Sequence, residues 1–340
     1  MSILIVGVDV SQNTLDVARI IDNQEICVNL GTFANDEEGF DNIQKMIQKE
    51  AKQAGADEIQ ITVEPTGGYE QRFVRFAIKK NWRVTMPNPC KVRQWAKGMG
   101  IRAKTDRVDA RLLARYGASH PLHEYKPLPP EIARLDSLLT RKEELEENLR
   151  REENRLHARK SQSMETGFII ASIERTVSWL KEEIARIEDE INAFLKENPD
   201  VNLQLKNIKT VPGVGERNAL FFLVLMYRWD TNTEGKGTSK QLTAYLGLDS
   251  VPTDSGTSVH RRPVISKEGN RKLRCRFYMS AFGGVHGKSP LGVFYNRLVA
   301  KGKKKKLAIV AGARKILTWC WATFRNNTTF DAHKALPASN

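Results

Sequence analysis

Short apolar runs separated by turn residues mark the first third of the chain. Ile3 to Asp9 predicts a buried strand, Ser11-Gln12-Asn13 a turn, Leu15 to Ile21 a second strand and Glu25 to Phe33 a third, together a three-stranded meander. Asn35 is expected to cap a helix reaching about Ala54, and Ile59 to Glu64 reads as a fourth strand that ends at Pro65-Thr66-Gly67-Gly68. A helix from Tyr69 to Lys80 and a fifth strand from Trp82 to Met86 follow, closed by Pro87-Asn88-Pro89. Val92 to Tyr116 is helical with an interruption near Gly98-Met99-Gly100. The order βββαβαβα predicts a mixed sheet flanked by helices.

Beyond it the pattern changes. His120-Pro121 through Pro129-Pro130 is a proline-rich linker. Leu135, Leu138, Lys142, Leu145, Leu149, Glu152 and Leu156 then recur at spacings of three and four, as do Ile170, Ile173, Val177, Leu180, Ile184, Ile187, Ile191 and Phe194. These are two heptad-patterned helices, read first as a coiled coil joining protomers and second as an internal hairpin. Next, Val211-Pro212-Gly213-Val214-Gly215 between two apolar helices has the helix-hairpin-helix pattern. Glycines there let backbone N–H groups approach a phosphate, although the same turn also serves plain helix packing. A Ser/Thr-rich loop, Thr253 to Ser258, leads to Arg261-Arg262, and helices are expected at 269–284 and 306–324. The predicted division is a sheet domain over 1–125, linker and coiled coil over 126–200, and a mainly α domain over 201–340.

Charge sharpens this division. The chain has 340 residues and a formal charge of +14, with 54 Lys+Arg against 40 Asp+Glu. Residues 201–340 contain 24 Lys/Arg and 7 Asp/Glu, whereas residues 1–200 contain 30 and 33. The C-terminal part is therefore strongly cationic and the rest nearly neutral, an imbalance that favours a polyanion partner such as nucleic acid. Lys303, Lys304, Lys305 and Lys306 form the densest local cluster. No apolar run nears the ~20 residues that span a bilayer, and the N-terminus lacks a basic region and cleavage site, so the expected location is the cytoplasm, with no membrane partner. Cys27, Cys90, Cys275 and Cys320 lie far apart, without zinc spacing, and read as buried free thiols.

Four carboxylates carry the candidate chemistry. Asp9 interrupts the apolar run Leu4 to Val10, where a charge is costly unless it is paired, protonated or bound to a metal. Glu64 stands at the end of a predicted strand, the place where α/β sheets hold ligands. Asp106 and Asp109 are three apart and share a helix face. Oxygen-only ligands at this density suit Mg²⁺ or Mn²⁺ and phosphoryl transfer. Between Arg83 and Arg115 nine Lys/Arg accompany only these two aspartates, Arg102, Lys104 and Arg107 among them, a field suited to a phosphate backbone. The residues favour metal-dependent nuclease chemistry, as in a junction-resolving nuclease that activates water, and leave open a non-enzymatic nucleic-acid-binding protein.

The strand order is that of a ribonuclease-H-like domain, and the motifs resemble the insertion-sequence 110 family of bacterial transposases. Gly7-Val8-Asp9-Val10-Ser11, Glu64-Pro65-Thr66-Gly67-Gly68-Tyr69, Asn88-Pro89 and Lys104-Thr105-Asp106-Arg107-Val108-Asp109-Ala110 match the family's DEDD pattern in a RuvC-like domain. Val211 to Gly215, Ala244-Tyr245-Leu246-Gly247-Leu248, and Ser255-Gly256 followed by Ser266 to Asn270 match its C-terminal transposase domain. Pro65 departs from the small residue expected there. The resemblance implies that Asp9, Glu64, Asp106 and Asp109 bind divalent metal and that Ser255 attacks DNA to leave a covalent 5′-phosphoserine. It further implies target and donor DNA, a structured noncoding guide (bridge) RNA, and a homodimer that assembles into a tetramer on the bacterial nucleoid. Arg261, Arg262, Arg271 and Lys272, with Gly213, Gly215 and the Lys303 to Lys306 run, are the expected nucleic-acid contacts.

Overall fold

A computed structural model describes residues 2–21, 26–101, 106–161, 167–255, 259–287 and 289–335; the side chains of residues 106–108, 252–255 and 259–263 lie outside the described set. The chain divides into two compact units, Met1–Pro127 and Leu128–Asn340.

The first unit contains β1 (Ile3–Val10), β2 (Thr14–Ile21), β3 (Val28–Ala34), α1 (Glu37–Ala54), β4 (Glu58–Val63), α2 (Gln71–Lys79), β5 (Arg83–Thr85), α3 (Pro89–Gly98) and α4 (Asp106–Ser119). The sheet order is β3-β2-β1-β4-β5. β1, β2 and β3 pair antiparallel, while β4 runs parallel to β1 and β5 parallel to β4. Alternation divides the two faces of β1. Leu4, Val6, Val8 and Val10 join Phe40, Ile43, Ile47 and Phe73 in one core, beneath α1 and α2. Ile5 instead packs with Ile20 and Ala114 of α4. Gly7 makes that second layer possible, because a Cβ there would lie 2.1 Å from Ala110 O and 2.3 Å from Ala114 N.

The strands differ from the sequence reading by one to three residues. A larger correction concerns the start of α1. Asp36, with extended backbone, is the cap and accepts from Gly39 N at 2.8 Å, while the Asn35 side chain is committed elsewhere.

The second unit contains α5 (Pro130–Lys160), α6 (Gly167–Glu197), α7 (Pro199–Lys209), α8 (Glu216–Thr233), α9 (Ser239–Tyr245), β6 (Ser250–Ser255), β7 (Val259–Ile265), α10 (Arg271–Gly284), α11 (Pro290–Ala300) and α12 (Lys305–Asn326). The heptad helices α5 and α6 pair with each other within the chain, the hairpin that the sequence reading placed second. Lys142 pairs with Glu188 at 2.7 Å, Lys181 with Glu153 at 3.2 Å and Lys160 with Glu174 at 2.7 Å, a register possible only for antiparallel helices. Buried Leu135 and Leu139 of α5, with Ile191 and Phe194 of α6, continue into the core formed by α7, α8, α10 and α12. At its centre the Phe222 and Phe277 rings stack 3.8 Å apart.

α9, α11 and the β6–β7 hairpin were not anticipated. α9 is seven residues long and held by a Thr238–Gln241 capping box rather than by periodicity. β6 and β7 include Pro252, Asp254, Arg261, Arg262 and Pro263, so their composition opposes strand. The thiols are also corrected: Cys320 is buried, but Cys90 and Cys275 are exposed and Cys27 is intermediate. Among the described residues no helix is long and apolar enough to cross a membrane.

Candidate active site

In the parallel β1–β4 register Val8 faces Val63, so Asp9 and Glu64 are the next residues along two adjacent strand lines. Gln60 and Thr62 lie on the α4 face: Gln60 Nε2 donates to Gly117 O at 3.2 Å, and a Cβ on Gly117 would fall 2.3 Å from Thr62 Oγ1. Period-two alternation carries Glu64 to that same side and Asp9 after Ile5 and Gly7. Helix α4 runs antiparallel to β1, since Gly117 lies against Ile5 while Ala110 lies against Gly7. Its first turn, with Asp106 and Asp109, therefore points toward the Asp9 end of the strand.

The electrostatics qualify the sequence reading. Asp9 is intermediate in exposure rather than buried. The Glu64 side chain is 23% exposed and lies 3.7 Å from the Arg93 guanidinium, on α3. Among the described residues no group of three acidic, histidine or cysteine side chains is close enough to enclose an ion, and the Asp106 side chain is outside that set. The donor chemistry fits a hard divalent cation: Asp9, Glu64, Asp106 and Asp109 offer oxygen only.

Two nearby features escaped the sequence reading. Asp16 pairs directly opposite Asp9 across β1 and β2, and Oδ1 of this buried carboxylate accepts from Thr32 Oγ1 at 2.6 Å. Glu70, 3% exposed, accepts backbone N–H bonds from Thr66 at 3.0 Å and Gly68 at 2.9 Å. Burial pushes its carboxyl up, but hydrogen bonds from Gln71 and the loop amides outweigh this and leave it below the ordinary carboxylate value. The available signal was an acidic residue two positions after Gly67-Gly68.

In the second unit Ser255 ends β6 opposite Val259, and Arg261 faces Thr253 in the same hairpin. The side chains of Ser255, Arg261, Arg262 and Arg107, and all of Arg102 and Lys104, lie outside the described residues. Gly213 has φ 87° and approaches α10 so closely that a Cβ would meet Ser280 O at 2.5 Å; helix packing alone requires this glycine. Gly215, which caps α8, has open space where a Cβ would be. Arg271 and Lys272 open α10 and are exposed, with Lys272 Nζ held 2.9 Å from Glu143 Oε2. Lys303 to Lys306 are all exposed at the start of α12.

A family model described as Transposase matches residues 6–160, and one described as Transposase IS116/IS110/IS902 family matches residues 205–295. The pilin gene-inverting protein of Moraxella lacunata is 30% identical over 337 residues, 97% of this chain and 98% of that protein. The chain belongs to the IS110 family of transposases. The Moraxella bovis pilin gene-inverting protein is equally similar, and the insertion element IS110 43.6 kDa protein of Streptomyces coelicolor is 30% identical over 170 residues, 48% of this chain and 38% of that one. As an IS110 family transposase the chain is a DNA-cleaving enzyme. The two matched segments contain, respectively, the four carboxylates and Ser255.

Proposed function

We propose that the chain is an RNA-guided, Mg²⁺- or Mn²⁺-dependent DNA recombinase in which Asp9, Glu64, Asp106 and Asp109 hold the cation and Ser255 is the nucleophile. The observation that carries the reading is the meeting of two adjacent strand ends with the first turn of α4 on one face of the sheet, an arrangement consistent with a ribonuclease-H-like domain. A bound divalent ion supplies charge neutralisation at the scissile phosphate and lowers the cost of the serine alkoxide. Ser255 Oγ loses its proton and bonds to phosphorus, the bond from phosphorus to the 3′ oxygen breaks, and that oxygen leaves as a 3′-hydroxyl after taking up a proton. The product is a 5′-phosphoserine link that conserves the energy of the phosphodiester for rejoining.

A structured noncoding RNA delegates sequence choice to base pairing, so the protein reads backbone and shape. Arg271 and the exposed Lys303 to Lys306 run fit such contacts, with the homodimer assembling into a tetramer on target and donor DNA. The name of the Moraxella relatives, gene-inverting proteins, supports strand exchange over simple cutting.

Labelled target DNA incubated with RNA transcribed from the element and Mg²⁺ tests the reading on a denaturing gel. A covalent protein–DNA adduct is expected from the wild type and none from Ser255→Ala. An adduct that persists in Ser255→Ala removes the nucleophile assignment, and cleavage without any adduct favours water activated by the same carboxylates.

A further inference from the structure

We propose that Glu70 is a positioning residue for the acidic strand ends: its carboxylate clamps the loop after β4 and so fixes Glu64 relative to Asp9. The proposal rests on the reading of Asp9 and Glu64 as cation ligands.

The loop Pro65-Thr66-Gly67-Gly68 turns through two positive-φ residues, Gly67 at 70° and Gly68 at 107°. Consecutive glycines make the backbone permissive, so a loop that must hold one geometry needs outside restraint. Glu70 supplies it at the start of α2, where one carboxylate oxygen gathers the N–H groups of both Thr66 and Gly68, and Gln71 Nε2 donates to the other at 3.0 Å. Thr66 is thereby held at two points, because its hydroxyl donates to Glu64 O at 2.9 Å. With that carbonyl fixed, the backbone from which the Glu64 side chain departs is fixed as well.

The same segment is tied to the other strand end. Asn35 Nδ2 faces three carbonyls, Ser11 O at 3.0 Å, Gln12 O at 3.5 Å and Tyr69 O at 3.3 Å. Ser11 lies two residues beyond Asp9, and Tyr69 directly precedes Glu70. A run of hydrogen bonds therefore links the turn after Asp9, through Asn35, Glu70 and Thr66, to Glu64. A buried carboxylate is an expensive way to fill space. Here it satisfies two backbone donors of a loop that packing does not restrain: a Cβ on Gly67 or Gly68 would meet nothing within 4 Å.

Mn²⁺ binding to the full-length protein, followed by the electron paramagnetic resonance of the free ion, tests this apart from catalysis. Glu70→Ala removes the clamp and is expected to raise the Mn²⁺ Kd by about tenfold, the scale on which partners of ligating carboxylates act. Glu70→Gln keeps an acceptor oxygen for both N–H groups and is expected to stay within about threefold of wild type, a rescue that follows from geometry rather than charge. Wild-type affinity in Glu70→Ala, or equal losses in both variants, overturns the proposal. Should circular dichroism show Glu70→Ala to be unfolded, Thr66→Val takes its place: it deletes only the hydroxyl bond to Glu64 O and is expected to weaken Mn²⁺ several-fold, with unchanged affinity overturning the proposal. Glu64→Gln is the separate control. If it binds Mn²⁺ as the wild type does, the ligand reading itself fails, whatever the Glu70 variants show.

Discussion

In the first unit the chemistry-bearing side chains depart from backbone packed against backbone, whereas in the second the candidate cationic contacts Arg271, Lys272 and Lys303 to Lys306 are exposed at helix starts, and side-chain ion pairs fasten the helices. Gly7 puts β1 in contact with the α4 main chain, and Gln60 and Gly117 bring β4 under the same helix. In the second unit α5 is fastened to α8 and α10 by ion pairs: Glu146 with Arg217, Asp136 with Arg228 at 2.7 Å, and Glu143 with both Lys272 at 2.9 Å and Arg276 at 2.8 Å. The contrast matches the two tasks proposed for these units. Ligands for a small cation must converge within a few tenths of an ångström, whereas attraction to a phosphate backbone needs positive charge distributed over a surface. The first demand is met by close packing, and the second by exposure.

The largest effect should follow from disturbing the close approach. Gly7→Val forces a side chain into the Ala110–Ala114 backbone, which has no flexible end to give way. A loss of about 3 kcal/mol in unfolding free energy is expected, at the upper end for overpacking, together with loss of DNA cleavage because the first turn of α4 is displaced from Asp9. Denaturant unfolding and a cleavage assay measure the two. Normal cleavage by a folded Gly7→Val protein would mean that the carboxylates do not depend on that packing.

A side-chain fastening should cost less and depend on pH. Burial pushes the Glu143 carboxyl up, but hydrogen bonds from Lys272 and Arg276 and their positive charges outweigh it, so the group titrates below its ordinary 4.5. A depressed carboxyl stabilises the fold above its unfolded value, and that contribution is lost as pH falls through the folded one. Glu143→Gln is therefore expected to cost about 2 kcal/mol at pH 7, the scale of hydrogen bonds to charged groups, and the gap to wild type should narrow below the ordinary 4.5 and close once an acid pH lies below the depressed folded value. Unfolding curves at the two pH values decide; a gap that persists in acid would assign the effect to packing. Arg276 lies 3.5 Å over the Phe221 ring and also donates to Asn218 Oδ1, so Arg276→Met should keep part of its deficit in acid.

The same contrast explains what the sequence disclosed. The five strands, α1 and the two long heptad helices follow from periodicity that a buried face imposes; among the candidate carboxylates Asp9 stood out by interrupting an apolar run, Glu64 by its place at a strand end, and Asp106 and Asp109 by a spacing of three on one helix face. What stayed hidden depends on contacts between segments distant in sequence. Nothing in the heptads themselves marks an antiparallel partner in the same chain; pairs such as Lys142 with Glu188 do. Asn35 has the composition of a helix cap, yet it bridges two loops while Asp36 caps α1. Gly213 fits a phosphate-binding turn by motif and a packing glycine by its 2.5 Å approach to Ser280 O. The β6–β7 hairpin carries Ser255 on residues whose strand propensity is poor, so only the pairing itself reveals it.

The smallest effect on stability should come from the Lys303 to Lys306 run, where the comparison is most easily broken. These lysines surround the N-terminus of α12, whose first turn has no acidic residue, and cations there oppose the helix dipole. Replacing all four by alanine is expected to leave stability unchanged or raise it by a few tenths of a kcal/mol. For nucleic acid the expectation is opposite in sign: each lysine that meets a phosphate contributes about 0.9 to the slope of log affinity against log salt, so the quadruple variant should bind more weakly and with a slope shallower by up to about 3.6. Anisotropy of a labelled duplex from about 50 to 200 mM salt measures this. An unchanged slope would make the run a solvated loop and move the phosphate contacts elsewhere in the second unit. A large loss of stability would show that exposed lysines can be structural here, and would remove the distinction between a packed site and a displayed charge.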